Sequence, residues 1–267
     1  ERLTKGNVHR LLDAVEKTTA VRDWPEQIFE RTNLEAIFLT NDFDDPLEGF
    51  DVQRYVPCLR TDELLFKLSE KPVRDRLERA TGVGAGDWNS LGRAVDRCFE
   101  RFLAKGARAC AVSLPPDFAP ERPSTAQAES ALRQVVAGKA SADESRTLSY
   151  ALTFALADRC EEHRLPFDLM IGVHRRVYEA GVFQGQDLFD QRTSLHQFRR
   201  LFNEKGRVVF PVSVLTSNQN QELVSYAWIF PNVVASGHWW YSNIPAFIEP
   251  DLRARLEAAP ANKQIGY

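Results

Sequence analysis

Short apolar runs recur along this 267-residue chain, and helical patterns separate most of them. Runs that are apolar almost throughout predict strands buried on both faces, as in a sheet covered by helices. Alternation of such strands with helices favours a parallel sheet. We therefore predict an α/β fold with six strands parallel in one sheet, in chain order, at residues 34–40, 55–60, 109–114, 167–173, 208–215 and 232–236, and a further strand beginning at Ile265.

Parallel sheets of this kind are open doubly wound sheets or closed (β/α)8 barrels. Nucleotide-binding open sheets have a glycine-rich phosphate loop directly after a strand. This sequence has no GxGxxG motif after a strand and no P-loop. Its glycine-rich segment at residues 82–86 follows a helical pattern as well as preceding one, so we interpret it as a linker. The glycine pattern weakens the open-sheet alternative.

Composition and charge exclude several classes of partner. With a net charge of −3 and 27% charged residues, the chain has no basic footprint, and we predict neither nucleic-acid binding nor membrane attachment. No apolar run approaches the roughly 18 residues needed to span a bilayer. Four widely separated cysteines without a CxxC pair predict reduced, buried thiols and a cytoplasmic location.

Helix signals mark the beginning and the middle of the chain. Apolar residues recur at helical spacing from Val8 to Val15 and predict an amphipathic helix within a helical N-terminal segment at about residues 1–32. Further along, Ser141 and Glu144 have the spacing of a capping box, which predicts that a helix begins there.

Polar side chains follow the predicted strands. In a barrel these strand ends meet at one face, so the side chains would converge there. Arginines beside carboxylates and aromatic rings suit a small anionic ligand, because guanidinium binds carboxylate in a bidentate fork. For any single residue, a loop or capping role is the alternative. The residues are Asp42, Asp44, Asp45, Arg60, Asp117, His174, Arg175, Arg176, Thr216, Ser217, Asn218 and His238.

The stretch at residues 232–241 places four ring side chains directly after a short strand and a glycine. Strand residues alternate sides, so His238 and Trp240 would point one way and Trp239 the other. At the C-terminal mouth of a barrel this run would line an active site. The alternative is that the tryptophans cap the core.

Four local motifs occur in one order along nearly the whole chain: Thr-Asn-Asp-Phe-Asp-Asp-Pro at 40–46, Leu-Arg-Thr-Asp at 59–62, Met-Ile-Gly at 170–172 before Arg175, and Gly-His-Trp-Trp-Tyr at 237–241. They resemble the Thr-Thr-Asp-Asp-Pro, Phe-Arg-Pro-Asp, His-Ile-Gly and Gly-Trp-Trp-Phe motifs of the uronate isomerases. That family is the glucuronate isomerase branch of the amidohydrolase-like (β/α)8 barrels.

The resemblance implies a parallel (β/α)8 TIM-type barrel, with residues 1–267 as a single domain that lacks its first and last strands. It also implies isomerisation of D-glucuronate to D-fructuronate, or of D-galacturonate to D-tagaturonate, with a small anionic sugar as partner and self-association into a homo-oligomer as an option. Arg60 would hold the sugar carboxylate. Asp42 and Asp45 would support the site from behind it. The substrate-binding residues expected are Arg60, Arg175, His238, Trp239 and Trp240.

The sequence departs from the family at its metal site. The family implies a divalent metal such as zinc, but its His-x-His pair is absent, and Met170 stands where its His-Ile-Gly histidine is expected. We therefore predict that the metal ligands are not present in this chain, and no catalytic residue is assigned. Two alternatives remain: a metal-dependent hydrolase on the same barrel, and a non-catalytic barrel that binds a sugar acid.

Overall fold

A parallel sheet is the centre of the structure, a computed structural model that describes residues 2–175, 177–181, 188–238 and 243–265, apart from the side chain of His238. The strands are β1 (Ile37–Phe38), β2 (Asn41–Asp42), β3 (Tyr55–Val56), β4 (Cys58–Arg60), β5 (Ala109–Leu114), β6 (Phe167–Ile171), β7 (Phe210–Val214) and β8 (Val233–His238). Six of them form one sheet in the order β2-β4-β5-β6-β7-β8, with every pairing parallel. The parallel α/β architecture in chain order is thus confirmed.

The first two predicted strands are each divided, which corrects the expectation of a single sheet. β1 and β3 form a separate two-stranded sheet, whereas β2 and β4 belong to the main one. Both pairings share one register, since residue i faces residue i + 18. The division falls at Pro57, which has no N–H to donate to a ladder. Asn41 partly compensates, because its side-chain oxygen accepts a hydrogen bond of 3.4 Å from the backbone N–H of Cys58.

Helices alternate with the strands of the main sheet. They are α1 (Val8–Thr19), α2 (Trp24–Thr32), α3 (Asp62–Phe66), α4 (Lys71–Thr81), α5 (Trp88–Ala104), α6 (Thr125–Val136), α7 (Ala142–His163), α8 (Arg199–Glu204), α9 (Asn220–Ile229) and α10 (Pro245–Ala258). The predicted capping box begins α7, where Ser141 and Glu144 cap each other. In the part of the chain that is described, none of these helices is long and apolar enough to cross a membrane.

The two faces of the sheet differ in side-chain size. Large apolar residues on alternate positions, among them Leu59, Val112, Leu169 and Val212, belong to the main hydrophobic core. The opposite face, called the inner face below, has smaller or polar residues. Those used below are Cys58, Arg60, Ala111, Ser113, Asp168 and Met170. All four cysteines are free and buried, as predicted.

The chain pairs again with β8 near residue 265. Ala235 and Gln264 form a parallel bridge, and the backbone N–H of Ile265 donates to the carbonyl of Ala235 at 2.9 Å. This position matches the predicted beginning of a further strand. Among the described strands, β2 and β8 lie at opposite ends of the sheet.

Candidate functional site

An arginine–aspartate pair stands at the C-terminal edge of the sheet. Arg60 is the last residue of β4, and its Nε and Nη2 atoms donate to the two carboxylate oxygens of Asp62, each at 3.1 Å. The backbone N–H of Ser113, near the end of β5, donates to the same carboxylate at 3.3 Å. Asp62 therefore fixes the guanidinium of Arg60 and joins the ends of two neighbouring strands.

Arg175 approaches the same carboxylate from the loop after β6. Its Nη2 atom lies 3.6 Å from Oδ1 of Asp62. The side chain of Arg175 is 46% exposed, whereas that of Asp62 is 12% exposed. One shielded carboxylate thus lies between two guanidinium groups, and Arg175 is the group that faces solvent.

A cleft of about 360 Å³, lined in part by Arg175, opens beside the Arg60–Asp62 pair. Ser113, Asp117, His174, Arg175 and Arg192 supply its polar lining. Arg175 pairs with Asp62, and His174 and Arg192 pair with Asp190. Asp117, which also lines the cleft, is exposed. The accessible donors of the cleft are therefore mainly guanidinium N–H groups, which suit a ligand carboxylate.

The loop after β6 is fixed by Asp190. The carboxylate of Asp190 lies 3.0 Å from Nδ1 of His174, and it accepts hydrogen bonds from Nε and Nη2 of Arg192. The Arg192 side chain is the main reason why the pKa of Asp190 is lowered from its ordinary value. His174 is consequently oriented by a carboxylate at the edge of the cleft.

The two acidic residues predicted to support the site lie at the end of β2. Asp45 accepts hydrogen bonds from the backbone N–H of Leu47 at 2.7 Å and from the side chain of Asn41 at 3.2 Å. Asp42 is paired in register with Arg60, and its carboxylate lies 3.9 Å from Nη2 of Arg76. Neither residue lines the cleft. Their supporting role stays a prediction.

A β-bulge changes the expected geometry of β8. Val212 faces Ala235, but Val214 faces His238, so β8 has one extra residue between these pairs. The strict alternation assumed for the ring-rich stretch is therefore broken before it reaches His238. The side chain of His238 and the whole of Trp239 and Trp240 lie outside the described residues.

The described residues do not fit a metal site of the kind that the family resemblance implies. No group of three or more His, Cys, Asp or Glu side chains in these ranges could hold a metal ion. Nδ1 of His174 is engaged by Asp190, and the ring of His163 stacks on Phe99 with centroids 5.8 Å apart.

Two acidic residues of this region were not singled out from the sequence. The sequence shows Asp62 only as part of a motif. Its contacts with Ser113 on β5 and Arg175 in the loop after β6 depend on the fold. Asp168 lies on the inner face of β6, where a carboxylate interrupts an apolar run. Its Oδ1 atom is buried with no hydrogen-bond partner among the described residues, and burial raises the pKa of the carboxyl to about 6.

Comparisons with known proteins agree with this architecture. The whole chain aligns over 286 positions with the uronate isomerase of Brucella canis at 22% identity. The glucuronate isomerase structure from Caulobacter crescentus matches 100% of this chain with a TM-score of 0.86 at 18% identity. The uronate isomerase structure from Bacillus halodurans C-125 matches 97% of it with a TM-score of 0.71 at 26% identity.

These relatives are longer than the chain, which spans 61% of the Brucella protein, 59% of the Caulobacter chain and 58% of the Bacillus chain. A structure assigned as a metal-dependent hydrolase, from Lactobacillus casei ATCC 334, is less similar, with a TM-score of 0.56 at 12% identity. The hydrolase alternative is therefore not favoured. No family model matches the sequence.

Proposed function

We propose that this chain is a uronate isomerase family member, to which it is similar over its whole length, and that it binds a hexuronate at the C-terminal edge of its sheet. The reaction proposed is the isomerisation of D-glucuronate to D-fructuronate, or of D-galacturonate to D-tagaturonate. The observation on which this proposal rests is the pair of guanidinium groups around Asp62, beside an open cleft.

The sugar carboxylate is assigned to Arg175, supported by the charge of Arg60. Arg60 already uses its Nε and Nη2 atoms for Asp62, so a ligand carboxylate would have to compete for that edge. Arg175 lines the cleft, which Arg60 does not, and its side chain is more exposed. His238, Trp239 and Trp240 are proposed to enclose the sugar from the end of β8.

The proposed architecture is a parallel (β/α)8-type barrel with residues 1–267 as one domain. Six parallel strands in chain order, with Gln264 pairing beside Ala235 of β8, support this proposal. A sheet with unpaired edges favours association, so a homo-oligomer is included in the proposal, as is a cytoplasmic location.

Isomerisation of an aldose to a ketose moves a proton between adjacent carbons, which needs a base, a proton donor and stabilisation of the enediolate. A bound divalent metal would polarise the oxygen at which charge develops. The described residues supply no ligand set for it. The part assigned to them is to bind and orient the sugar acid.

Titration calorimetry with D-glucuronate and with neutral D-glucose tests the proposal. We expect D-glucuronate to bind and D-glucose not to bind. Arg175→Lys keeps the charge but removes the fork, and should weaken D-glucuronate binding by about 1–3 kcal/mol. Arg97→Lys, in an exposed pair with Glu100 on α5, is the matched control and should bind as the native chain does. Equal affinity in the native and Arg175→Lys chains would remove Arg175 from the site.

A further inference from the structure

A second cavity, the side pocket, lies next to the cleft. It has a volume of about 210 Å³, and its walls come from α3, α7 and the loop after β5. Phe66, Pro115 and Asp117 line both the cleft and the side pocket, so the two cavities lie side by side. These shared residues form the boundary that a ligand occupying both cavities would cross.

The side pocket has an aromatic wall. The ring of Phe118 packs edge-on against Phe66 at 5.7 Å and against Tyr150 at 5.0 Å, measured between centroids. Leu65, Leu68, Val135 and Leu148 add to the apolar lining. Aromatic pairs of this geometry favour edge-to-face packing with another ring.

Three polar side chains of the side pocket already have partners. The hydroxyl of Ser149 donates to the carbonyl of Leu65 at 2.7 Å, and that of Ser145 donates to the carbonyl of Ser141 at 3.0 Å. Arg146, at the rim, pairs with Asp143 at 3.1 Å. A ligand group here gains from apolar burial more than from new hydrogen bonds. An apolar cavity of about 150 Å³ can hold benzene, so the side pocket has room for one ring.

We propose that the cleft and the side pocket together bind an aryl glycoside of a uronic acid. The sugar carboxylate lies at Arg175 and the aromatic group enters the side pocket. This inference rests on the proposed function, because it uses the same site for the carboxylate. The glycosidic bond at C1 keeps the sugar ring closed, so this ligand binds without isomerising and competes with the free sugar acid.

Titration calorimetry with four ligands tests the inference: D-glucuronate, methyl β-D-glucuronide, phenyl β-D-glucuronide and the uncharged phenyl β-D-glucoside. We expect the phenyl compound to bind about tenfold more tightly than the methyl compound, because its ring is removed from water. Ser145→Phe, which fills the side pocket, should abolish that advantage and leave methyl β-D-glucuronide binding unchanged. Ser145→Ala, the matched control, removes the same hydroxyl without filling the pocket and should keep it.

Four outcomes separate this inference from the proposed function. If D-glucuronate and the methyl compound bind and the phenyl compound is no tighter, the side pocket is not a ligand site and the proposed function stands. If the advantage persists in Ser145→Phe, the ring lies elsewhere. If uncharged phenyl β-D-glucoside binds as tightly as the glucuronide, the two cavities do not act together. If none of the anionic sugars binds, both proposals fall.

Discussion

Replacing Asp168 with asparagine tests whether the inner face of the sheet holds a carboxyl group that is costly to ionise. Asp168 faces Ala111 across β5 and β6, and its Oδ1 atom is buried without a partner in the described part of the chain. Burial raises the pKa of this carboxyl from its ordinary 3.8 to about 6. A rise of that size corresponds to about 3 kcal/mol between the two protonation states.

Proton linkage decides whether the free energy of unfolding rises or falls with pH. Below pH 3.8 the Asp168 carboxyl is neutral in both the folded and the unfolded chain, so the buried site costs no charge. As the pH rises through about 6, the unfolded chain has already released the proton, and the folded chain must ionise a desolvated group. The free energy of unfolding should therefore decrease by about 2–3 kcal/mol between pH 4 and pH 8 because of this residue.

Urea unfolding of the native chain and of Asp168→Asn, each at pH 4 and pH 8, measures this effect. Asparagine stays neutral at both pH values. The free energy of unfolding of the variant, relative to that of the native chain, should therefore be higher at pH 8 than at pH 4 by about 2–3 kcal/mol. A buried amide also needs partners, so this difference between pH values is more informative than either value alone. Asp13→Asn, at an exposed position of α1, is the control and should show no such change. Parallel pH profiles for the native chain and Asp168→Asn would refute the reasoning.

Three further predictions concern the loops and the proposed site. In urea unfolding, Gly172→Ala should reduce the free energy of unfolding by about 3 kcal/mol, because φ is +87° and a Cβ would lie 2.8 Å from Oγ1 of the buried Thr193. Gly138→Ala, where φ is +68° and the space is open, is the control and should reduce it by about 1 kcal/mol. Asp62→Ala should reduce the free energy of unfolding by about 2 kcal/mol in the same assay, because it removes the carboxylate that pairs with the partly buried Arg60 guanidinium. Glu100→Ala, in an exposed pair, should reduce it by under about 0.5 kcal/mol, and equal losses in the two variants would contradict the argument. Less than one equivalent of zinc should remain after dialysis, because the described residues offer no set of three converging ligands. Elemental analysis showing one tightly bound zinc per chain would contradict this.

The sheet could be predicted from the sequence because burial on both sides leaves a simple pattern. The strand at Ala109–Leu114 is buried at all six positions and was predicted with the same bounds. Parallel order followed from the helices between strands. The capping box at Ser141 also acts locally, and it begins α7 as predicted.

Local irregularities limited the prediction where a strand departs from ideal pairing. Pro57 was visible in the sequence, and its missing N–H accounts for the division between β3 and β4. The sequence signal for the bulge between Ala235 and His238 is Gly237, but a glycine alone does not fix the register, which depends on pairing with β7 as well as on β8 itself. Alternation counted along one strand could not reveal it.

The two arginines show why the edge of the sheet was predictable and the ligand contact was not. Arg60 ends β4, and parallel strands in chain order place it at the C-terminal edge of the sheet. Its hydrogen bonding is decided by Asp62, which takes the same Nε–Nη2 edge that a ligand carboxylate would use. Exchanging one bidentate carboxylate for another yields little free energy. Arg175 lines the cleft and is 46% exposed, whereas Arg60 does not line it, so the incoming carboxylate should bind at Arg175 while Asp62 keeps Arg60 in place.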